Sequence, residues 1–139
     1  MAKTIRVTCA IIMKEGKILA AQRSEKMDLP LKWEFPGGKI EQNESPDACL
    51  IREIKEELNI EISIEKTFRS NVHSYKEDKQ IELIPFLCGY MKGQLVAKEH
   101  QQIQWIEPKN LIKLDWAEAD VPIVIEFIEW FKENHQTNY

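Results

Sequence analysis

Residues 38–60 read GKIEQNESPDACLIREIKEELNI. Ser45 followed by Pro46 marks a helix start. A serine oxygen can accept from the first unpaired N–H groups, and proline at the first helical position has no N–H to leave unpaired. Cys49, Leu50, Ile51, Ile54 and Leu58 recur at helical spacing and predict an apolar stripe, with Arg52, Glu53, Glu56 and Glu57 on the opposite, polar face. Residues three and four apart share a helix face, so Glu53, Glu56 and Glu57 point the same way and repel one another. They also lie near the helix C-terminus, where the macrodipole disfavours negative charge. Neither effect helps folding, so a cation is expected to offset both. Oxygen-only ligation suits a hard divalent ion, Mg²⁺ with Mn²⁺ as a substitute. Taken alone, EIKEEL reads better as a solvated surface helix than as a site.

Outward from this segment, residues 4–13 (TIRVTCAIIM) are β-branched and apolar, and Lys14-Glu15-Gly16 turns them into KILAAQR, a predicted hairpin. The polar stretch SEKMDLPLK is a loop leading to a short strand around Trp33-Glu34-Phe35, which Pro36-Gly37-Gly38 is expected to break. Two longer strands are expected at 61–75 and 80–91, joined by the charged turn KEDK, and another at 102–107 (QIQWIE). The run PIVIEFIEWFK from Pro122 has helical apolar spacing and should pack across the sheet. Strands with two well-separated helices predict an α/β sandwich.

The chain has 139 residues, enough for one domain with a real core. Its formal charge is 19 − 23 = −4, without a lysine- or arginine-rich run, which weighs against binding a nucleic-acid polymer through its backbone. A small anionic ligand stays possible, because a bound cation reverses the field of an acidic site. Cys9, Cys49 and Cys88 are widely spaced and show no metal-binding pattern, so reduced thiols in a cytoplasmic protein are expected. The N-terminal apolar stretch is too short for a signal peptide, and no run is long enough to cross a membrane.

Gly38, five residues, Glu44, seven residues and then Arg52-Glu53-Ile54-Lys55-Glu56-Glu57-Leu58-Asn59-Ile60 resembles the Nudix box, G-x5-E-x7-R-E-U-x-E-E-x-G-U with U bulky and apolar. Every specified position is met except one. Asn59 stands where the box has its last glycine, and asparagine is the next most tolerant residue of a left-handed helix exit. LAAQR, KWEFPGGKIE, the KEH loop and AEADVPIV extend the similarity along nearly the whole chain, toward the MutT-type subgroup. Within it the chain looks most like the bacterial CTP pyrophosphohydrolase branch, with 8-oxo-dGTP diphosphatases as near relatives.

The resemblance implies a single Nudix hydrolase domain over residues 1–139, an α-β-α sandwich around a mixed β-sheet, and cleavage of a nucleoside triphosphate. It implies metal on Glu53, Glu56 and Glu57 with the Gly37 carbonyl, and Glu44 and Arg52 in support of them. Glu99 falls in the loop where relatives carry a metal ligand or base; an exposed polar-loop glutamate is the plainer reading. Arg23, at the end of the second strand, implies a phosphate contact, and Phe35, Gly38 and Lys39 line the same loop on the substrate side. Asp120 stands where a relative reads the base with asparagine, and it reads equally well as a cap of the helix beginning near Pro122. An ionised carboxylate accepts from the cytosine amino group but repels guanine O6 unless it is protonated. Trp116 is placed to stack on the base or to pack in the core, where Trp33, Trp105 and Trp130 are expected. His100 reads as a surface residue, and His73 and His135 have no partner visible in sequence. Phe127, Trp130 and Phe131 would serve a core or a dimer interface equally, leaving monomer and homodimer open. A Nudix-fold nucleotide-binding module without turnover is the alternative of a different class.

Overall fold

The computed structural model describes residues 3–134; His135 lies outside them. The chain runs β1 (Lys3–Lys14), β2 (Lys17–Gln22), β3 (Trp33–Glu34), β4 (Gly37–Lys39), α1 (Pro46–Leu58), β5 (Ile60–Thr67), β6 (Asn71–Lys76), β7 (Lys79–Gly93), β8 (Gln102–Ile106) and α2 (Val121–Asn134). Short 3-10 turns at Pro108–Lys113 and Glu118–Asp120 precede the last helix. The strands form one mixed sheet. β1 runs parallel to β7 from Lys3↔Lys79 to Met13↔Gly89, while β2, β4, β5, β6, β3 and β8 pair antiparallel.

Alternate residues of β1 face opposite layers, as the two-residue period of a strand requires. Cys9 and Ile11 join one apolar cluster with Ile123, Val124 and Phe127 of α2. Ala10 and Ile12 join another with Leu50, Ile54 and Leu58 of α1. The layers are therefore helix, sheet, helix, as the α-β-α expectation has it. Phe127 is fully buried, so it belongs to the core, with the rings of Phe68 and Trp130 set edge-on and tilted against it.

The β1–β2 turn is the expected one. Glu15 (φ 52°) and Gly16 (φ 78°) are both left-handed, which matches the twist of a two-residue hairpin. Two strand expectations need correction. Only Phe35 and Pro36 interrupt the strand between β3 and β4, the Pro36 carbonyl accepting from the Ala10 N–H. Gly37 and Gly38 then resume as β4, paired to Cys9 and Thr8. A Cβ on Gly37 would lie 2.0 Å from the Thr8 carbonyl oxygen, so glycine allows this close approach instead of ending the strand. The single strand expected at 61–75 is two, because β5 stops pairing at Thr67↔Phe86 and β6 begins at Asn71↔Leu83. The gap falls opposite Pro85 of β7, which has no N–H for the ladder.

Helix α1 begins as the sequence predicts, with Ser45 Oγ accepting from Ala48 N–H (3.2 Å), a cap worth about 1 kcal/mol. It ends at Asn59, left-handed at φ 61°, whose N–H donates to Lys55 O and whose side-chain amide donates to Gln94 O (3.1 Å). Asparagine thus does the conformational work of the missing glycine. The expected faces are corrected at two places. Ile51 is exposed, while Glu57, assigned to the polar face, is buried.

Candidate active site

The acidic face of α1 is organised by one guanidinium. Arg52 donates from Nε and Nη2 to the two oxygens of Glu44 (2.7 and 2.9 Å), and from Nη1 to Glu53 Oε2 (2.6 Å) and more weakly to Glu56 (3.4 Å). Glu44 also accepts from the Glu41 N–H (3.0 Å), closing the loop before the helix. The Arg52 hydrogen bonds, followed by that N–H, lower the Glu44 carboxyl to about 2. Arg52 is in turn held more firmly protonated by Glu44 and Glu53. Gly38 matters for Glu53. A Cβ there would fall 2.1 Å from Glu53 Oε1, so the carboxylate occupies space that only glycine leaves. From below, Thr8 Oγ1 and the Cys49 thiol donate to the Gly38 and Lys39 carbonyls and pin the loop. The Lys39 side chain itself is exposed.

Glu57, one turn beyond Glu53, is buried. Burial above all, then the charges of Glu53 and Glu99, raise its carboxyl to about 9. Its Oε2 is buried without a hydrogen-bond partner. Glu99 comes close because its loop closes the C-terminus of α1. Val96 N–H donates to Leu58 O (3.0 Å) and Lys98 N–H to Glu57 O (3.2 Å), satisfying carbonyls the helix leaves free. The Glu99 side chain is exposed.

An orphaned buried oxygen surrounded by carboxylates, with only oxygen donors, fits a hard divalent cation. Among the described residues, no group of three or more His, Cys, Asp or Glu side chains is arranged to hold an ion as it stands. Arg52 draws Glu53 and Glu56 to itself and serves as their counter-charge.

Beside the acidic cluster lies a cavity of about 470 Å³, lined among others by Arg23, Glu34, His73, Leu83, Ala119 and Asp120. Asp120 is buried, and its Oδ2 accepts from the Phe35 N–H (2.9 Å). Burial lifts its carboxyl to about 8; the Phe35 hydrogen bond opposes this without overcoming it. Arg23 is tied down by Nε to the Asp28 carbonyl and by Nη1 to Glu34 Oε1 (2.7 Å). His73, without a visible partner in sequence, stands 3.6 Å from Glu118. Trp116 sits behind this wall. It is buried, its Nε1–H donates to Leu111 O (2.7 Å), and its ring packs on Phe35 at 4.7 Å between centroids. It is not among the cavity's lining residues, and Phe35 meets the cavity region through its backbone hold on Asp120.

Two residues of the site escape sequence reasoning. Glu34 links Arg23 to His100, whose Nε2 lies 2.8 Å from Glu34 Oε2. The charge of Glu34 also raises both Glu57 and Asp120, so it stands between the two ends of the cleft. His100 is a correction: expected at the surface, its side chain is only 1% exposed. The available signal was a charged residue inside the short strand Trp33–Glu34, which asks for a buried counter-charge.

The fold and this acidic, glycine-gated helix define a hydrolase of the Nudix type. The chain belongs to the Nudix family: the NUDIX domain matches residues 2–131. It is 37% identical over 126 residues to the CTP pyrophosphohydrolase of Escherichia coli K12, covering 91% of this chain and 93% of that one. It is 35% identical over 104 residues to the 8-oxo-dGTP diphosphatase of Buchnera aphidicola subsp. Schizaphis graminum, covering 75% and 78%. Among solved structures it is similar to the MutT protein of methicillin-resistant Staphylococcus aureus 252, a Nudix hydrolase, at a TM-score of 0.76 and 43% identity over 93% of this chain and 98% of that one. Nudix hydrolases use divalent metal ions, in keeping with the donor chemistry here. Among the described residues no helix is long and apolar enough to cross a membrane.

Proposed function

We propose that the chain converts a nucleoside triphosphate and water into the monophosphate and pyrophosphate, with Mg²⁺ as its ion and cytosine nucleotides (CTP, dCTP or a 5-substituted dCTP) preferred. The observation that carries this reading is the partnerless buried oxygen of Glu57, set beside Glu53 and Glu99 and next to a cavity with Arg23 and Asp120 on its wall. Glu53, Glu56 and Glu57 would hold the ion with the Gly37 carbonyl and Glu99. Bound there, the ion neutralises phosphate oxygens and polarises a water.

The chain's own residues supply the rest. Glu99, exposed at the cluster's edge, takes the proton of the attacking water, as one of the helix glutamates would if Glu99 is committed to metal. Arg52 and Glu44 hold Glu53 in orientation. Arg23, with N–H groups beyond those given to Asp28 and Glu34, faces the polyphosphate. Gly38 leaves room for the Glu53 carboxylate, and Lys39 adds a positive charge beside the loop. Asp120 reads the base: its carbonyl oxygen accepts from the cytosine amino group. We place this chemistry in one domain over residues 1–139, acting in the cytoplasm on free nucleotides, as a monomer or homodimer.

One observation favours a second reading, 8-oxo-dGTP as the main substrate. At about 8 the buried Asp120 is neutral at physiological pH, so its O–H can donate to guanine O6 instead of repelling it. The test is steady-state hydrolysis with Mg²⁺ over the common ribo- and deoxynucleoside triphosphates, 5-methyl-dCTP and 8-oxo-dGTP, resolving nucleotide product and pyrophosphate. A lead in kcat/KM for the cytosine members supports the first reading, and a lead for 8-oxo-dGTP supports the second. Binding with no product released from any of them would mean a nucleotide-binding module.

A further inference from the structure

Glu34 sits on a two-residue strand, and each of its oxygens is already engaged. Oε1 accepts from Arg23, and Oε2 faces His100 Nε2 at 2.8 Å. A carboxylate paired with arginine accepts only, so Nε2 carries the proton and donates. That leaves His100 Nδ1 buried and without a partner, an arrangement that costs free energy. A buried imidazole with one of its two nitrogens unpaired is a poor choice for packing alone, because an apolar side chain of similar volume would fill the space without that cost.

The backbone around this triad is rigid. Gln101 N–H donates to Gln22 O (2.9 Å), Arg23 N–H donates to Lys32 O (2.8 Å), and Gln22 pairs with both Trp33 and Gln102. The end of β2, the whole of β3 and the start of β8 are thus locked side by side. Glu34 and His100 project from the two outer segments, and Arg23 follows the central one. The Arg23 side chain has one further anchor, the Asp28 carbonyl in an exposed loop.

We propose that His100 is a positioning residue that acts through Glu34 to fix Arg23 on the cavity wall. By donating to Oε2 it holds the Glu34 carboxylate in one orientation, and Oε1 then fixes Nη1 of Arg23. The guanidinium is presented to an anionic ligand already oriented, so its side-chain entropy is not lost on binding. The same loop carries Glu99 toward Glu57, so a single strap over α1 sets both the acidic end and the phosphate-facing arginine.

The kinetic readout of this inference rests on the triphosphate hydrolysis proposed above; a second readout does not. His100→Leu removes the donor at similar volume, and His100→Gln restores an N–H near the Nε2 position. His100→Leu is expected to raise the KM for the preferred triphosphate about tenfold with kcat within about threefold, the signature of lost ground-state binding. His100→Gln should recover most of that loss. In an Arg23→Ala background, His100→Leu should raise KM by less than about twofold more, because residues acting as a unit are not additive. Independently of turnover, the Nη–H signals of Arg23 in ¹H–¹⁵N spectra of the labelled full chain, assigned by their disappearance in Arg23→Lys, should be resolved in wild type and His100→Gln and lost to exchange in His100→Leu. Additive effects, a Gln variant no better than the Leu variant, or an Arg23 signal unchanged in a folded His100→Leu protein would overturn the proposal. Absence of wild-type turnover on every triphosphate would sink the proposed function, and the Arg23 signal alone would then decide the role of His100.

Discussion

The two ends of the cleft hold their acids in opposite ways. Along α1, Glu44 and Glu53 sit against a fixed guanidinium, and Glu44 is lowered to about 2. On the cavity wall Asp120 is buried, takes a single N–H bond and rises to about 8. At the first end a cation is built into the protein, and Glu44 stays charged. At the second, desolvation outweighs the one hydrogen bond and the more distant Arg23, and the acid is neutral. Glu57 belongs to the first end by position but to the second by environment, since it is buried, one of its oxygens has no hydrogen-bond partner, and it is raised to about 9. Environments that push neighbouring carboxyls apart assign them different tasks. Charged acids suit metal and positioning, and a neutral acid can both donate and accept toward a base.

Glu57→Gln breaks this contrast most severely. Hydrolysis is expected to fall by about a thousandfold or more in kcat/KM, as for loss of a group acting in the transition state. Stability in chelator should move the other way. A carboxyl raised in the folded state favours folding fully below its ordinary value of 4.5 and loses that advantage as pH rises toward about 9. The metal-free variant should therefore melt above wild type at pH 8 and close to it at pH 4. Loss of both activity and stability at pH 8 would mean that Glu57 is a structural acid.

Gly38→Ala tests the same end through packing. The new Cβ would meet Glu53 Oε1 at 2.1 Å, and that side chain can swing away, so orientation suffers more than folding. We expect kcat/KM to drop about 10- to 100-fold while the stability changes by less than about 1 kcal/mol. Gly16→Ala is the useful contrast. It meets nothing within 4 Å but forces alanine to φ 78°, so it should cost stability of about 1 kcal/mol and leave hydrolysis intact.

How far each end was legible follows from how it is built. The α1 end is contiguous. Gly38, Glu44, Arg52, Glu53, Glu56 and Glu57 fall at fixed spacing in one segment, and helical periodicity converts spacing into proximity. Its two misreadings, the exposure of Ile51 and the burial of Glu57, both arose because periodicity assigns a face and not what covers it; the Glu99 loop covers Glu57. The cavity end is assembled from residues 23, 34, 73, 100 and 117–120, which only the sheet topology brings together. Glu34 and His100 were invisible for that reason, and Trp116 looked available because nothing local shows the Phe35 ring and the Leu111 carbonyl that hold it. In the fold, the β1–β2 hairpin and both helices followed from pattern, whereas β4 and the β5/β6 break depended on a close approach to Thr8 and on Pro85 in a neighbouring strand.

Asp120→Asn should affect hydrolysis less than Glu57→Gln or Gly38→Ala, and it tests the second end alone. With the folded value near 8 and the ordinary value near 3.8, wild-type stability from this group is greatest below pH 4 and falls as pH rises toward 8. Asparagine does not titrate, so wild type minus variant stability should decline by an amount on the order of 5 kcal/mol across that window, measured by denaturant unfolding at fixed metal-free conditions. At neutral pH the variant keeps an acceptor for the Phe35 N–H and offers an amide in place of a neutral carboxyl, so hydrolysis of the best substrate should change by less than about tenfold. The informative quantity is the ratio between bases. If Asp120 reads the base as a neutral acid, the wild-type preference for cytosine over 8-oxoguanine should shift as pH crosses 8, and the Asn variant should show no such shift. A preference indifferent to both pH and substitution would remove Asp120 from base reading and leave it as the anchor of Phe35.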